Sequence, residues 1–261
     1  MTDYEAAILD VDGTMVRGEA LLPGATDGLR AIEAAGCSRL LFSNNPTRGS
    51  DHYREKLAPH GIDVDPGTVL TSATVSAEYL AATHPDQRVY LVGSERLESI
   101  LADAAVALTT EPDEAEVVLG SFDETFSYGT LWSALRALEG DVPFYGTDPD
   151  ATVPIDDGEI PGSGAIIAAM EAVAGREPDA ILGKPSSVAA AAAMDRLEAD
   201  PRNTLVVGDR LDTDIALGNR AGMETALVLT GVTDRSDLAD VGADAEPDHV
   251  LESLAAVETL L

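Results

Sequence analysis

The stretch Ala6-Ala7-Ile8-Leu9-Asp10-Val11-Asp12-Gly13-Thr14 decides how this chain is read. Four apolar residues run into two acids one residue apart, and a glycine follows. If Ala6 to Leu9 is a buried strand, its carboxyl end presents Asp10, Asp12 and a flexible turn, which is where open α/β sheets place their chemistry. A carboxylate pair there can bind a hard cation, attack phosphorus and move a proton. Taken alone, the segment fits a plain β-hairpin as well, because Asp12-Gly13 between apolar stretches is a strong turn signal. A calcium loop counted from Asp10 does not fit, since it would need glycine at Met15 and glutamate at Leu21. The rest of the chain has to separate a strand end from a hairpin.

A chain of 261 residues suits one large domain or a core domain with a smaller companion, and 45% apolar residues mark it as globular. Its one cysteine, Cys37, has no partner for an internal disulfide, which fits a reducing compartment. No apolar run approaches the roughly 18 residues of a membrane span, and the acidic start (Asp3, Glu5) lacks the basic region of a signal peptide. The expectation is a soluble cytoplasmic protein.

The formal net charge of −31 comes from 47 acids against 16 bases, and the acids are dispersed along the whole chain. Self-repulsion on that scale opposes a compact state at low salt, but at 1 M salt the Debye length is only about 3 Å. A salt-rich, halophile-like cytoplasm is therefore the expected setting. On charge grounds the expectation is a protein without nucleic-acid or anionic-membrane partners.

The same composition singles out lysine. Only Lys56 and Lys184 occur beside fourteen arginines. Lys56 falls in an acidic helical surface pattern and reads as solvated. Lys184 follows the apolar Ala180-Ile181-Leu182 within Gly183-Lys184-Pro185, where a compact point charge at a strand end would face the same crevice as Asp10.

Short apolar runs alternate with helical patterns, as in βα units over a parallel sheet. Strands are expected at Ala6 to Leu9, Arg39 to Phe42, Ala180 to Leu182, Thr204 to Val207 and Thr225 to Leu229, with a last helix at about Val250 to Leu260. From 71 to 179 the chain repeats the alternation on its own account. That segment reads as an inserted domain, leaving residues 1–70 and 180–261 as the core.

Four segments then share one grammar, a short apolar strand followed by polar residues and a loop or helix start. They supply Asp10 and Asp12, Ser43 and Asn44, Lys184, and Asp209 and Asp214. Parallel strands would gather all four at one edge of the sheet. These residue types suit phosphoryl transfer, with Asp10 as nucleophile and Asp12 as the acid that protonates the leaving oxygen and later activates water. Mg²⁺ held by Asp10, the Asp12 carbonyl and Asp209, together with Lys184, would offset the negative charge of carboxylates and phosphate. Ser43, Asn44 and nearby amides can hold phosphoryl oxygens, and Asp214 can orient the metal's waters or Lys184 as an outer support.

The set Asp10-Val11-Asp12-Gly13-Thr14, Ser43-Asn44-Asn45, Gly183-Lys184-Pro185 and Gly208-Asp209 through Asp214-Ile215 resembles the haloacid dehalogenase (HAD) superfamily. The inserted segment adds Gly146-Thr147-Asp148-Pro149-Asp150 and Pro161-Gly162-Ser163-Gly164-Ala165, which resemble the NagD and 4-nitrophenylphosphatase branch, subfamily IIA. The resemblance implies a Rossmann-like core with a parallel sheet, an α/β cap of the C2 type, Mg²⁺, hydrolysis of a small phosphate ester and, as a family expectation, a homodimer. Two residues depart from the branch pattern. Serine at 43 keeps the hydroxyl of the usual threonine. Aspartate at 148 replaces the usual asparagine, and reads either as a cap residue that alters specificity or as one more surface acid.

Other readings stay in view. A phosphotransferase would use the same covalent intermediate, and a phosphometabolite sensor would use the same pocket without catalysis. Gly162-Ser163-Gly164 lacks the third glycine of a dinucleotide fingerprint, because Ile167 stands there. His52, His60, His84 and His249 have no metal-ligand spacing.

Overall fold

The computed structural model describes residues 4–155 and 158–261. Its internal contacts form two compact units, Met1–Ser43 with Ser50–Leu70 and Ala189–Leu261, and Asn44–Gly49 with Thr71–Val188. The first unit begins with β1 (Ala6–Leu9), a small hairpin of β2 (Val16–Arg17) and β3 (Ala20–Leu21), α1 (Ala25–Ala34), β4 (Ser38–Ser43), α2 (Ser50–Leu57) and β5 (Val69–Thr71). All four residues of β1 are buried, as expected of a central parallel strand covered on both faces. The hairpin signal at Asp12-Gly13 is realised only as a tight turn after the strand, closed by the Gly13 N–H on the Val16 carbonyl at 2.8 Å.

The second unit runs through α3 (Ser72–Thr83), β6 (Val89–Val92), α4 (Glu95–Asp103), β7 (Leu108–Thr109), β8 (Val117–Gly120), α5 (Tyr128–Ala137), β9 (Phe144–Gly146), the hairpin of β10 (Thr152–Ile155) and β11 (Gly158–Pro161), α6 (Ser163–Ala174) and β12 (Ala180–Ile181). Its five-stranded sheet has the order β12-β9-β8-β6-β7, with every pairing parallel. Apolar side chains fill both faces, with Leu80, Leu97 and Leu119 in one cluster and Val118, Phe144 and Met170 in the other.

The chain re-enters the first unit along α7 (Ser187–Leu197). It continues through β13 (Thr204–Gly208), a wide turn at Leu211–Ile215, α8 (Ala216–Ala221), β14 (Glu224–Val228) and β15 (His249–Leu251). The six-stranded sheet has the order β15-β14-β13-β1-β4-β5. β1 pairs in parallel with β4 on one side and β13 on the other, with Leu9 opposite both Leu41 and Val207. Strand order therefore reverses about β1, so the crevice beyond the carboxyl ends of β1 and β13 is where such a sheet accepts ligands.

Two elements differ from the sequence reading. The strand at 180, expected to resume the core, pairs with β9 of the second sheet, and the chain returns to the first unit only at Ala189. Its alternation says that it is a strand, and only its partners decide which sheet it joins: Leu182 packs among the second unit's apolar residues. The expected terminal helix is instead β15 followed by a 3₁₀ segment at Leu254–Thr259 that buries Leu254 and Val257, three residues apart. The edge of β14 captures His249–Leu251 before a helix can start.

No described helix is long and apolar enough to cross a membrane.

Candidate active site

β1 ends at Leu9, and the Asp10 N–H continues the ladder onto the Val207 carbonyl at 2.9 Å. This fixes the Asp10 backbone beside the end of β13. Asp209 follows β13 directly, and Asp214 lies in the wide turn, where the Ile215 N–H reaches back five residues to the Arg210 carbonyl. Asp10, Asp209 and Asp214 are all buried, and each can offer one oxygen such that the three lie within 4.8 Å of one another. Three carboxylates drawn together out of water repel strongly unless a cation joins them.

The backbone around this cluster is shaped to admit it. Gly13 has φ +101°, and a Cβ there would stand 2.4 Å from Asp209 Oδ2. At Gly231 a Cβ would come within 1.8 Å of the same oxygen. Val232 donates its N–H to Asp209 Oδ2 at 2.7 Å, and Arg210 donates its own to Asp214 Oδ2 at 3.1 Å. Three hard oxygen donors in a cradle with no room for side chains fit a small divalent cation such as Mg²⁺. Asp214, expected as an outer support, falls within the same cluster.

Asp12 turns away from this cluster toward α2. Lys56 Nζ lies 2.9 Å from its Oδ1, and the Lys56 side chain is only 9% exposed. Ser43, at the end of β4, donates to Asp12 Oδ2 at 3.3 Å. Buried Tyr53 donates to Ser43 Oγ at 2.8 Å, with Asp12 Oδ2 3.2 Å away. Burial, and then the Asp12 carboxylate, push proton loss from the Tyr53 phenol well above its ordinary value, so it remains a donor. Lys56 is thus not the solvated surface residue expected from its helix.

In the second unit, Asn44 and Lys184 meet across 140 positions of sequence. The Lys184 N–H donates to Asn44 Oδ1 at 2.9 Å, and Asn44 Nδ2 donates to the Lys184 carbonyl at 3.0 Å. Ser72 donates to the Asn44 carbonyl at 2.8 Å. The Asn44 amide is thereby committed to the backbone of Lys184, whose own side chain is buried. Asp148 is buried as well, at 2% exposure, which removes the surface-acid reading. Ser163 and Thr147 donate to its Oδ2 at 2.7 and 2.9 Å, and the Asp150 N–H lies 3.3 Å from Oδ1. Burial, with Asp150 nearby, raises its pKa to about 7.

Residues 7–107 match the haloacid dehalogenase-like hydrolase family model, and residues 181–257 match a second, HAD-hydrolase-like model. The acid sugar phosphatase of Staphylococcus epidermidis is 33% identical over 238 residues, covering 91% of each chain. The chain belongs to the haloacid dehalogenase-like hydrolase family. Among solved structures, the p-nitrophenyl phosphatase from Archaeoglobus fulgidus superposes with a TM-score of 0.92 at 34% identity, covering 99% of this chain and all of that one. A glycerol phosphate phosphatase from Mycobacterium tuberculosis, solved in complex with magnesium, gives 0.87 at 29% identity over 98% of this chain and 77% of its own. Within the HAD family, the chain is of the NagD and 4-nitrophenylphosphatase kind.

For a HAD hydrolase, the first unit brings together Asp10, Asp209 and Asp214, and beside them Asp12 with Ser43. The residues that sequence reasoning missed are Tyr53 and Lys56. A signal for Lys56 was present, since it is one of two lysines in an arginine-rich chain, the same argument that singled out Lys184.

Proposed function

We propose that this HAD-type phosphatase hydrolyses a small phosphomonoester by carrying the phosphoryl group covalently on Asp10, with Mg²⁺ as cofactor. The observation that carries the reading is the buried cluster of Asp10, Asp209 and Asp214, with Asp12 held separately two residues after the first of them. Asp10, Asp209, Asp214 and the Asp12 carbonyl would hold Mg²⁺, which when bound neutralises carboxylate and phosphate charge. An Asp10 oxygen attacks phosphorus, the bond to the alcohol oxygen breaks, and Asp12 protonates that oxygen as it departs. Asp12 then takes a proton from a water molecule whose oxygen attacks phosphorus; the acyl-phosphate bond breaks, and inorganic phosphate leaves Asp10 as it began.

The Ser43 hydroxyl and the Asn44 backbone N–H are proposed to hold phosphoryl oxygens. Lys184, its backbone fixed by the Asn44 side chain, would supply further positive charge. Asp148, with its carboxyl committed to Ser163 and Thr147, would act on specificity only through the fold of its loop. The names of the sugar and glycerol phosphate phosphatases among the relatives support a phosphorylated sugar or polyol as substrate. The net charge of −31 supports a salt-rich cytoplasm as the working environment.

The test is Asp10→Asn assayed with 4-nitrophenyl phosphate and Mg²⁺ in molar salt. Turnover should vanish while the protein stays folded; full-rate turnover by the variant would end the proposal.

A further inference from the structure

The Asp12 carboxylate is engaged on both oxygens by one short helix. Oδ1 meets the Lys56 ammonium at 2.9 Å, and Oδ2 meets Ser43 and Tyr53 hydroxyls at 3.3 and 3.2 Å. Tyr53 and Lys56 are three residues apart on α2, so they share a face, and the Lys56 ammonium also lies 5.8 Å from the centre of the Tyr53 ring. Tyr53 has a single hydroxyl proton. Its shorter bond is the one to Ser43 Oγ, at 2.8 Å, and Ser43 in turn donates to Asp12, which gives a donor chain from Tyr53 through Ser43 to Oδ2.

A lysine stem this well covered is not a mobile surface charge. In a chain with 14 arginines and two lysines, α2 keeps an ammonium where it meets the carboxylate placed to handle the proton. We propose that Lys56 and Tyr53 are positioning residues, which fix the orientation of Asp12 for proton transfer to the leaving alcohol. The proposal rests on the phosphatase reading above. It gives α2 a part in the chemistry that its solvent-facing pattern conceals. Lys56 holds one oxygen by charge and sets the carboxylate plane, and Tyr53 holds the other through Ser43.

Leaving-group chemistry separates positioning of the proton donor from mere support of the fold. An alkyl phosphate such as glycerol phosphate expels a strongly basic alkoxide and needs the proton, whereas 4-nitrophenolate departs without one. kcat/KM, which reports the steps up to the first irreversible one, is measured for both esters in wild type, Lys56→Met, Lys56→Arg and Tyr53→Phe, with thermal melting of each. Lys56→Met should lower kcat/KM for the alkyl ester about 10- to 100-fold and for the aryl ester less than about threefold. Lys56→Arg should recover most of the alkyl rate, and Tyr53→Phe should show the same selective loss at smaller size. Equal losses on the two esters in Lys56→Met and Tyr53→Phe, or a gain on the alkyl ester, would overturn the proposal. Wild-type turnover and its loss in Asp10→Asn test the phosphatase reading alone; the ratio between the two esters tests the positioning of Asp12.

Discussion

Each unit buries carboxylates, and each compensates them in a different way. In the first unit Asp10, Asp209 and Asp214 bring oxygens within 4.8 Å of one another, in a cradle that Gly13 and Gly231 leave open. In the second unit Asp148 is taken out of water beside the hydroxyls of Ser163 and Thr147, and its pKa rises to about 7. A lone buried carboxyl can relieve its cost by keeping a proton. Three acids converging on one point have a further outlet, a shared cation, and their oxygens are near enough to one another to offer it. Burial of an acid by itself therefore says little about function; the number of oxygens converging, and what separates them, says more.

The sharpest break of this comparison is Asp10→Asn, expected to lower turnover on the order of 10³-fold or more in a steady-state assay, with the circular dichroism spectrum unchanged. Next is Asp209→Asn, which removes one of three repelling charges. It should raise the melting temperature in a chelator, by about 1–3 kcal/mol of stability, and abolish the upward shift that Mg²⁺ produces in wild type. A variant that keeps the full Mg²⁺ shift would show that the cluster does not hold the ion.

Asp148→Asn should behave in the opposite manner, independent of Mg²⁺ and dependent on pH. Because the folded value is about 7 against an ordinary 3.8, the folded state retains a proton that the unfolded chain has lost between those values. Wild-type stability from this group is undiminished below about pH 4, falls as pH rises, and is lowest above about pH 7, by at most about 4 kcal/mol at 1.4 kcal/mol per unit. Asparagine removes that loss, so the variant should gain stability over wild type in melts at pH 8 and not at pH 4. Equal gains at both would show that Asp148 ionises without penalty.

The smallest effect concerns the surface. The dispersed net charge of −31 should make both units melt higher in molar KCl than at 50 mM, while salt changes the pair of the covered Lys56 with Asp12 less than a pair whose cation is open to solvent, such as Arg202 with Asp200.

Much of the site was legible because each piece is local. An apolar strand followed by Asp10 and Asp12, or by Asp209, reads without knowledge of any distant residue. Lys56 was misread for the same reason in reverse. Arg54 and Glu55 just before it are charged and exposed, and nothing local shows that Asp12, 44 positions earlier, closes on it. Asp148 looked like a surface acid because composition favours one there, whereas the hydroxyl at Ser163 that helps retain it lies 15 residues on.

The sequence by itself determined the class of chemistry and the strand ends that carry it, since residue types and short-range periodicity are properties of the chain. The tertiary structure alone decided which sheet Ala180–Ile181 joins, that Asp214 shares one cluster with Asp10 and Asp209, and that α2 grips Asp12. Those outcomes depend on which distant groups share a space once water has been excluded, and no local pattern encodes them.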